Sequence, residues 1–580
     1  VPLLLAGNAA RALEVNLEVA GDDAALTDRL RDSSALIAAS AEGEGAPEAL
    51  FAAARSDYRR LTEALFAAGR YGGAVSIRLD GREAGEIGLL DVPRRVDRAE
   101  ISVAPGPVYR LGSVDIDPLP PDATLPEGAT PGAPARAEVI RDAARGAVGA
   151  WREAGHAEAR VSDQRVIADH PSRTLDVTVR IEPGARLAFG ELIVGDSAVR
   201  AGRVREIAGL PTGRRFSPDA LERSVERLRE TGAFASVTAR ERPAAGGRVP
   251  IELSLVDGEP RRVGGGAELT TTEGLSLSGF WLHRNLFGGA ERLRFDAEVT
   301  NLATDESGTD GRVAARIERP ASFGPETSVF IASELTFSDE DSYIARTARL
   351  GTGFKRRVNE TLEIEYGIAL SQTFASQEFG ASNFTLLSFP AAATRDRRDD
   401  PLDATRGAFV DLEVEPFLGA GGAGSGARLE LDMRGYRALG EDLVLAGRAR
   451  AGSVIGPSLA SAQPEMLFTS GGGGSVRGQP FDSLTVMLPG GDETGGRSMV
   501  GVSGELRAGL RGNFGLAAFL DAGYVGPEAL YDGSGAWHSG GGVGLRYDTG
   551  LGPIRFDVAG PVSGGTGDGV QFYLGIGQAF

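Results

Sequence analysis

From about Glu259 to Phe580 the chain is a long succession of short segments in which apolar and polar residues alternate. Leu362, Ile364, Tyr366, Ile368 and Leu370 are interleaved with Glu363, Glu365, Gly367 and Ala369. Val410, Leu412 and Val414 alternate with Asp411, Glu413 and Glu415, and Leu429, Leu431 and Met433 with Glu430, Asp432 and Arg434. Near the end, Val543, Leu545 and Tyr547 alternate with Gly544, Arg546 and Asp548, and Ile554, Phe556 and Val558 with Arg555, Asp557 and Ala559. A period of two puts each apolar set on one face of a strand. A soluble sandwich alternates too, so the side facing outward has to be argued. The polar faces are heavily charged, which suits a water-filled lumen. The pattern persists over about 320 residues, room for roughly 16 strands and their connections. The chain also ends inside such a segment: Phe572, Leu574, Ile576 and Phe580 share a face interrupted by Gln578. Joining first strand to last would pair every backbone group, as hydrocarbon demands. The expectation is a transmembrane antiparallel β-barrel over residues 259–580.

The first half mixes helices and strands. Its clearest unit spans residues 185–258: a strand Leu187–Val194, a helix near Ala198–Ala208, a helix Ser217–Gly232 and strands Ala235–Arg240 and Val249–Val256. Ser217 is a suitable N-cap, Pro218 suits the first helical position and Gly232 the stop. Leu221, Val225 and Leu228 form the apolar stripe of this helix. Residues 108–184 hold a similar unit, with strand Tyr109–Ile116, helix Arg136–Gly155 and strands Ala157–Ile167 and Thr174–Ile181. Residues 13–107 hold a third, with helix Pro47–Gly69 and strands Gly73–Leu79 and Arg98–Val103. Each long helix ends in a phrase of the same shape, AAGRYGG, EAGHAEA or ETGAFAS, a reproducible helix stop. Taken alone, three tandem α/β modules fit many functions. Residues 1–12, VPLLLAGNAARA, read as the remnant of a secretory signal, although its charged start is missing.

Composition removes several function classes. The 580 residues carry a net charge of −19, which disfavours nucleic acid as a partner. There is no cysteine, hence no thiol catalysis, disulfide or cysteine-ligated zinc. Gly accounts for 83 residues without a collagen period, which suits tight turns and curved strands. No stretch of 18 apolar residues marks a transmembrane helix. His156, His170, His283 and His538 are scattered without ligand spacing. No G-x-S-x-G occurs, and the glycine runs 264–266 and 471–474 do not lead into a lysine-bearing helix. Neither an enzyme activity nor a metal or cofactor is expected.

Several phrases of the second half, in order, resemble the Omp85 superfamily of outer-membrane assembly and translocation barrels. The strongest is GGGGSVRGQPF, Gly471–Phe481, with Arg477-Gly478 separated from Phe481 by Gln479 and Pro480, where many members place the aromatic directly after the glycine. RNLFGGAERL (Arg284–Leu293), RDRRDDPLDATRG (Arg395–Gly407), FLDAGYV (Phe519–Val525), GVGLRYDTGLGPIRFDVAGPV (Gly542–Val562) and the terminal GIGQAF stand around it. The helix-bearing units then look like periplasmic POTRA modules, and three of them most resemble the TamA-like branch. The resemblance implies an outer-membrane location and a loop carrying Arg477, Gly478 and Phe481 that folds back into the barrel. It also implies a TamB-like inner-membrane-anchored periplasmic partner and unfolded outer-membrane clients of the autotransporter type. Asp521, in one alternating set with Ala517, Phe519 and Gly523, and Glu505, opposite Val502, Leu506 and Leu510 in the alternation, are expected to face inward as partners of Arg477. A lateral seam is expected between a first strand near Arg262–Leu277 and a last strand near Gly569–Phe580. Gly264, Gly265 and Gly266 on one side and Gly575 and Gly577 on the other would weaken it, with Phe580 closing the chain. A secretion pore threading an unfolded exoprotein through the lumen, and a plain solute channel, remain as alternatives.

Overall fold

The computed structural model describes all residues except 1–12, 43–45, 89, 122, 271–273, 303–307, 341, 378, 441, 511, 550–551, 568 and 577–580. The expected signal remnant, Gly577 and Phe580 therefore lie outside the described residues. The chain divides into two compact units, and the division runs through the third module.

In the first module the helix Pro47–Ala67 starts with proline at its first turn. It buries Leu50, Phe51, Ala54, Leu61 and Leu65, which share one helical face, against Ile77, Leu79, Ile101 and Val103 of the sheet. That sheet runs Glu14–Val19, Arg98–Ala104, Ala74–Leu79, Arg82–Glu83, its first pair parallel. In the second module the helix Ala137–Glu153 places Ile140, Ala143, Ala144 and Ala147 on a sheet ordered Arg110–Asp117, Thr174–Glu182, Arg160–Asp169. The third module has helices Ala201–Ala208 and Pro218–Glu230 and a sheet ordered Ala188–Val194, Arg248–Asp257, Phe234–Glu241. Ser217 caps the second of these helices by accepting from the Ala220 amide at 3.2 Å. The glycines of the three stop phrases, Gly69, Gly155 and Gly232, all have positive φ, the conformation that ends a helix without a Cβ penalty.

The second half is a closed antiparallel barrel of seventeen strand segments running from Arg261–Thr270 to Gln571–Ile576. Two of them, Gly380–Ser388 and Ala391–Asp396, share both neighbours, Leu362–Gln377 and Gly407–Gly421. They are one wall strand broken at Phe389-Pro390, so the wall has sixteen positions. Pro390 has no amide to donate to the ladder. The alternating sets read from the sequence point where expected. Leu350, Leu370, Leu412, Val543 and Phe556 are exposed on the outer wall, as a lipid-facing surface requires. The inner wall is laced with ion pairs, among them Arg316–Glu365 and Arg349–Glu415, each at 2.8 Å, and Lys355–Glu363 at 2.7 Å. In the unit that contains the barrel, helix residues of the third module meet the turns at one barrel end. Arg227 donates to Glu326 at 2.6 Å, Arg203 to the carbonyls of Pro320 and Ala321, and Arg357 pairs with Glu230. This is called the module end below.

One sequence boundary is corrected. The stretch Arg262–Leu277 is not a single strand; the first strand is Arg261–Thr270 and the second Gly274–His283. The register pairs Thr270 with Gly274, so odd-numbered positions share a face on both strands. The alternation therefore continues through the hairpin without a break, and the pattern alone does not reveal the reversal.

Asp57 is the polar exception in the stripe of the long first-module helix. It is fully buried and accepts from Ser34 Oγ at 2.6 Å and from the amides of Ala35 and Leu36 at 2.8 and 3.1 Å. It thereby satisfies the open amides at the start of the helix Ala35–Ala41. Asp57→Ala should destabilise this module by about 2–3 kcal/mol. Hydrogen exchange on the full chain should show faster exchange confined to residues 24–67, with the barrel strands unchanged.

Candidate functional site

The site is built by one long connection, residues 456–497, between the strands Leu443–Ile455 and Ser498–Gly509. With only the 3-10 turns Leu459–Ser461 and Pro464–Met466 and the short strand pair Val486–Met487 and Glu493–Thr494, it leaves many backbone groups to satisfy, and the inner wall supplies partners. Glu465 accepts from Thr336 at 2.9 Å and from Thr347 at 2.5 Å, on two neighbouring wall strands. Arg428 donates to the Met466 carbonyl at 3.1 Å, and its guanidinium lies 5.0 Å from the Phe468 ring centre. The loop then crosses to Arg477, so it is held inside the barrel.

Arg477 is 2% exposed, and Asp521 and Glu505 are each 1% exposed. Its Nε and Nη2 grip Asp521 at 2.8 and 3.1 Å, a bidentate fork, and its amide adds a third bond to Asp521 at 3.2 Å. Its Nη1 donates to Glu505 at 2.7 Å. The guanidinium carbon lies over Phe519, 3.5 Å from the ring centre. Burial by itself lowers the proton affinity of Arg477. The hydrogen bonds and charges of Asp521 and Glu505 reverse this, and its pKa lies above the ordinary arginine value.

The structure brings together more than the sequence reading named. Glu505 also accepts from Arg507 at 2.8 Å and lies 3.6 Å from Arg546. Arg546 donates to Asp557, which lies 3.5 Å from Arg477. Three arginines thus face three carboxylates with no net charge, which lowers the cost of burying them together. Arg546 and Asp557 stand on the polar sides of alternating segments already visible in the sequence. Only the strand registers place them at the level of Arg477.

Gly478 has φ +92°, and a Cβ there would lie 2.5 Å from the Gly560 carbonyl oxygen. Its amide donates to the Tyr573 hydroxyl on the last strand at 2.9 Å. Gln479 directly follows the Arg477-Gly478 pair. It is fully buried, and its Nε2 donates to the carbonyls of Ser539 and Ser563 at 2.7 and 3.1 Å. Its Oε1 accepts from Thr566 at 2.8 Å, and His538 lies between Thr566 and Ser470 at 3.0 and 2.9 Å. Sequence reading gave His538 no role. Phe481 is half-buried, away from the ionic cluster, in a lumenal cavity lined also by Tyr343, Gln377 and Glu465.

The first and last strands pair with each other, as a seam requires. Among the described residues the pairs are Leu269–Leu574 and Thr270–Tyr573. On their other sides Gly264, Gly265 and Gly266 are registered with Phe280, Gly279 and Ser278 of the second strand, and Gly575 with Arg555.

Comparison with known proteins agrees with this architecture. Residues 285–580, just over half of the chain, match the Omp85 superfamily domain. The solved structure of BamA from Haemophilus ducreyi lacking POTRA domains 1–3 is similar with a TM-score of 0.63 at 15% identity, covering 81% of this chain and 100% of that one. CdiB from Acinetobacter baumannii is similar with a TM-score of 0.50 at 12% identity, covering 82% of this chain and 90% of that one. At these identities the likeness is one of fold.

Removing Arg477 leaves buried carboxylates without their fork. Arg477→Ala should lower barrel stability by about 3–5 kcal/mol, read as a lower temperature at which the compact gel-migrating form is lost in detergent. Asp521→Ala should act in the same direction. The double variant should cost clearly less than the two single losses added, whereas strict additivity would mean that the two residues are not coupled.

Proposed function

The chain belongs to the Omp85 superfamily, and on that premise we propose that it is a non-enzymatic assembly and translocation factor of the outer membrane, its modules in the periplasm. It acts on unfolded outer-membrane clients, and within the superfamily its three POTRA-like modules support a TamA-like role. In that role the clients are autotransporter-type barrels and the modules dock a TamB-like, inner-membrane-anchored partner.

The observation that carries this reading is the occupied lumen. It is crossed by a loop fixed at Glu465, Arg428 and Arg477. The first and last strands meet at Leu269–Leu574 and Thr270–Tyr573. Their join is the place where a closed sheet can part without breaking a connecting turn. Opening it exposes backbone donors and acceptors inside the membrane, and a client's terminal strand satisfies them by adding to the edge. Threading through the lumen would first require the buried ionic cluster to come apart.

A disulfide between Leu269→Cys and Leu574→Cys, which face each other in the register, tests the route. Client insertion into vesicles should stop in the oxidised barrel and return on reduction. Undiminished insertion with the seam locked would move the pathway to the lumen and favour the secretion-pore reading.

A further inference from the structure

The arginines of the barrel fall into two populations. Those on the inner wall are largely paired: Arg294 with Asp296, Arg312 with Glu334, Arg316 with Glu365, Arg434 and Arg448 with Asp432. The outer wall carries a second set. Arg319 is registered with Val329, Arg356 with Ile364, Arg395 with Val410 and Arg437 with Leu445, all on the apolar outward face. Arg261, registered with His283, takes the same side as Val263 and Trp281. All five are exposed. None has a carboxylate within ion-pair distance among the described residues.

Their positions along the strands are also alike. Arg261 opens its strand, Arg319 closes its own, and Arg395 and Arg437 are one residue from a strand end. Arg356 is three residues from Asn359. Every one of these ends is a module end, so at a rise of about 3.3 Å per residue all five lie within roughly 10 Å of the turns there. The opposite end is different. Its described outward strand positions hold one arginine, Arg346, and one carboxylate, Asp339. The last wall strands carry Phe514, Tyr547 and Ile554 at the module end in place of arginine.

We propose that these five arginines form an arc that binds the phosphate headgroups of anionic phospholipids in the leaflet nearest the modules. An unpaired guanidinium at the edge of an apolar wall reaches the interface along its own apolar stem. There it meets phosphate oxygens that its planar fork fits. The arc begins at Arg261 on the first strand and stops before the last wall strands, so bound lipid flanks the seam on the first-strand side alone. The lipid-binding claim rests only on the strands crossing a membrane and stands apart from the assembly role.

The test uses the full chain in nanodiscs of phosphatidylethanolamine and phosphatidylglycerol, with retained lipid quantified after mild detergent washing. The wild-type protein should retain phosphatidylglycerol above its share of the disc. Replacing Arg261, Arg319, Arg356, Arg395 and Arg437 together by Gln should reduce that enrichment by about fivefold or more. The five-fold Lys variant should keep it, and Arg346→Gln should leave it unchanged. Retention of wild-type enrichment by the Gln variant, its loss in the Lys variant, or an equal loss in Arg346→Gln would each overturn the proposal. Heat-modifiable gel migration checks that each variant folds. Should the combined Gln variant fail that check, the five single substitutions are read instead, and no fall in any of them would overturn it equally.

Discussion

Hydrocarbon offers no partner to a peptide amide or carbonyl, and the second half of this protein is organised by that fact. Once a strand lies in the membrane, each of its backbone groups must be paired by a neighbour, and the series ends only when the last strand meets the first. Closure then sorts the side chains. Positions of one parity meet lipid and are apolar; positions of the other enclose water and are charged. The break at Phe389-Pro390 shows how narrowly departures are tolerated. The ladder loses one donor, yet both flanking segments keep the same two neighbours, and the Gly367 amide still finds the Pro390 carbonyl at 2.9 Å.

An enclosed, charged lumen creates a second requirement. Charges removed from bulk water must be neutralised locally. The cluster around Arg477 meets this with equal numbers of arginines and carboxylates, drawn from one loop and from the late wall strands. It also ties the loop to the strand that completes the closure, because the residue after Arg477 hydrogen-bonds Tyr573. The loop therefore bears on the seam physically, through one side chain and without an intermediary. Outside the lumen the requirement is absent, and among the described residues the outward arginines other than Arg346 stand at one level of the wall, beside the interface.

Much of this was legible before folding. Period-two alternation marked the wall strands and their outward faces, the helix stops marked the modules, and the glycine-flanked Arg477 stood out as a planar donor needing inward carboxylates. Asp521 and Glu505 were readable as inward because parity is a local property. Asp557 and Arg546 had the right parity as well, but parity does not say which residues of different strands lie at one height. The hairpin at residues 270–274 escaped for a related reason, since its register keeps the same parity on both sides. Gln479 and His538 were unreadable because the contacts join the loop to two wall strands: Gln479 reaches Ser539, Ser563 and Thr566, and His538 links Thr566, after the second of these strands, to Ser470 of the loop.

The sequence by itself determined which residues face lipid and which face water, since that follows from alternation along a single strand. Parity also put Asp521 and Glu505 on inward faces. Tertiary structure alone decided that Arg546 and Asp557 join them, which pairs close the seam and which arginines share a level at the module end. The physical reason is register. A strand's own residues fix its faces, while its height against its neighbours is set by pairing around the whole closed sheet, a sum over all the turns that no local segment contains.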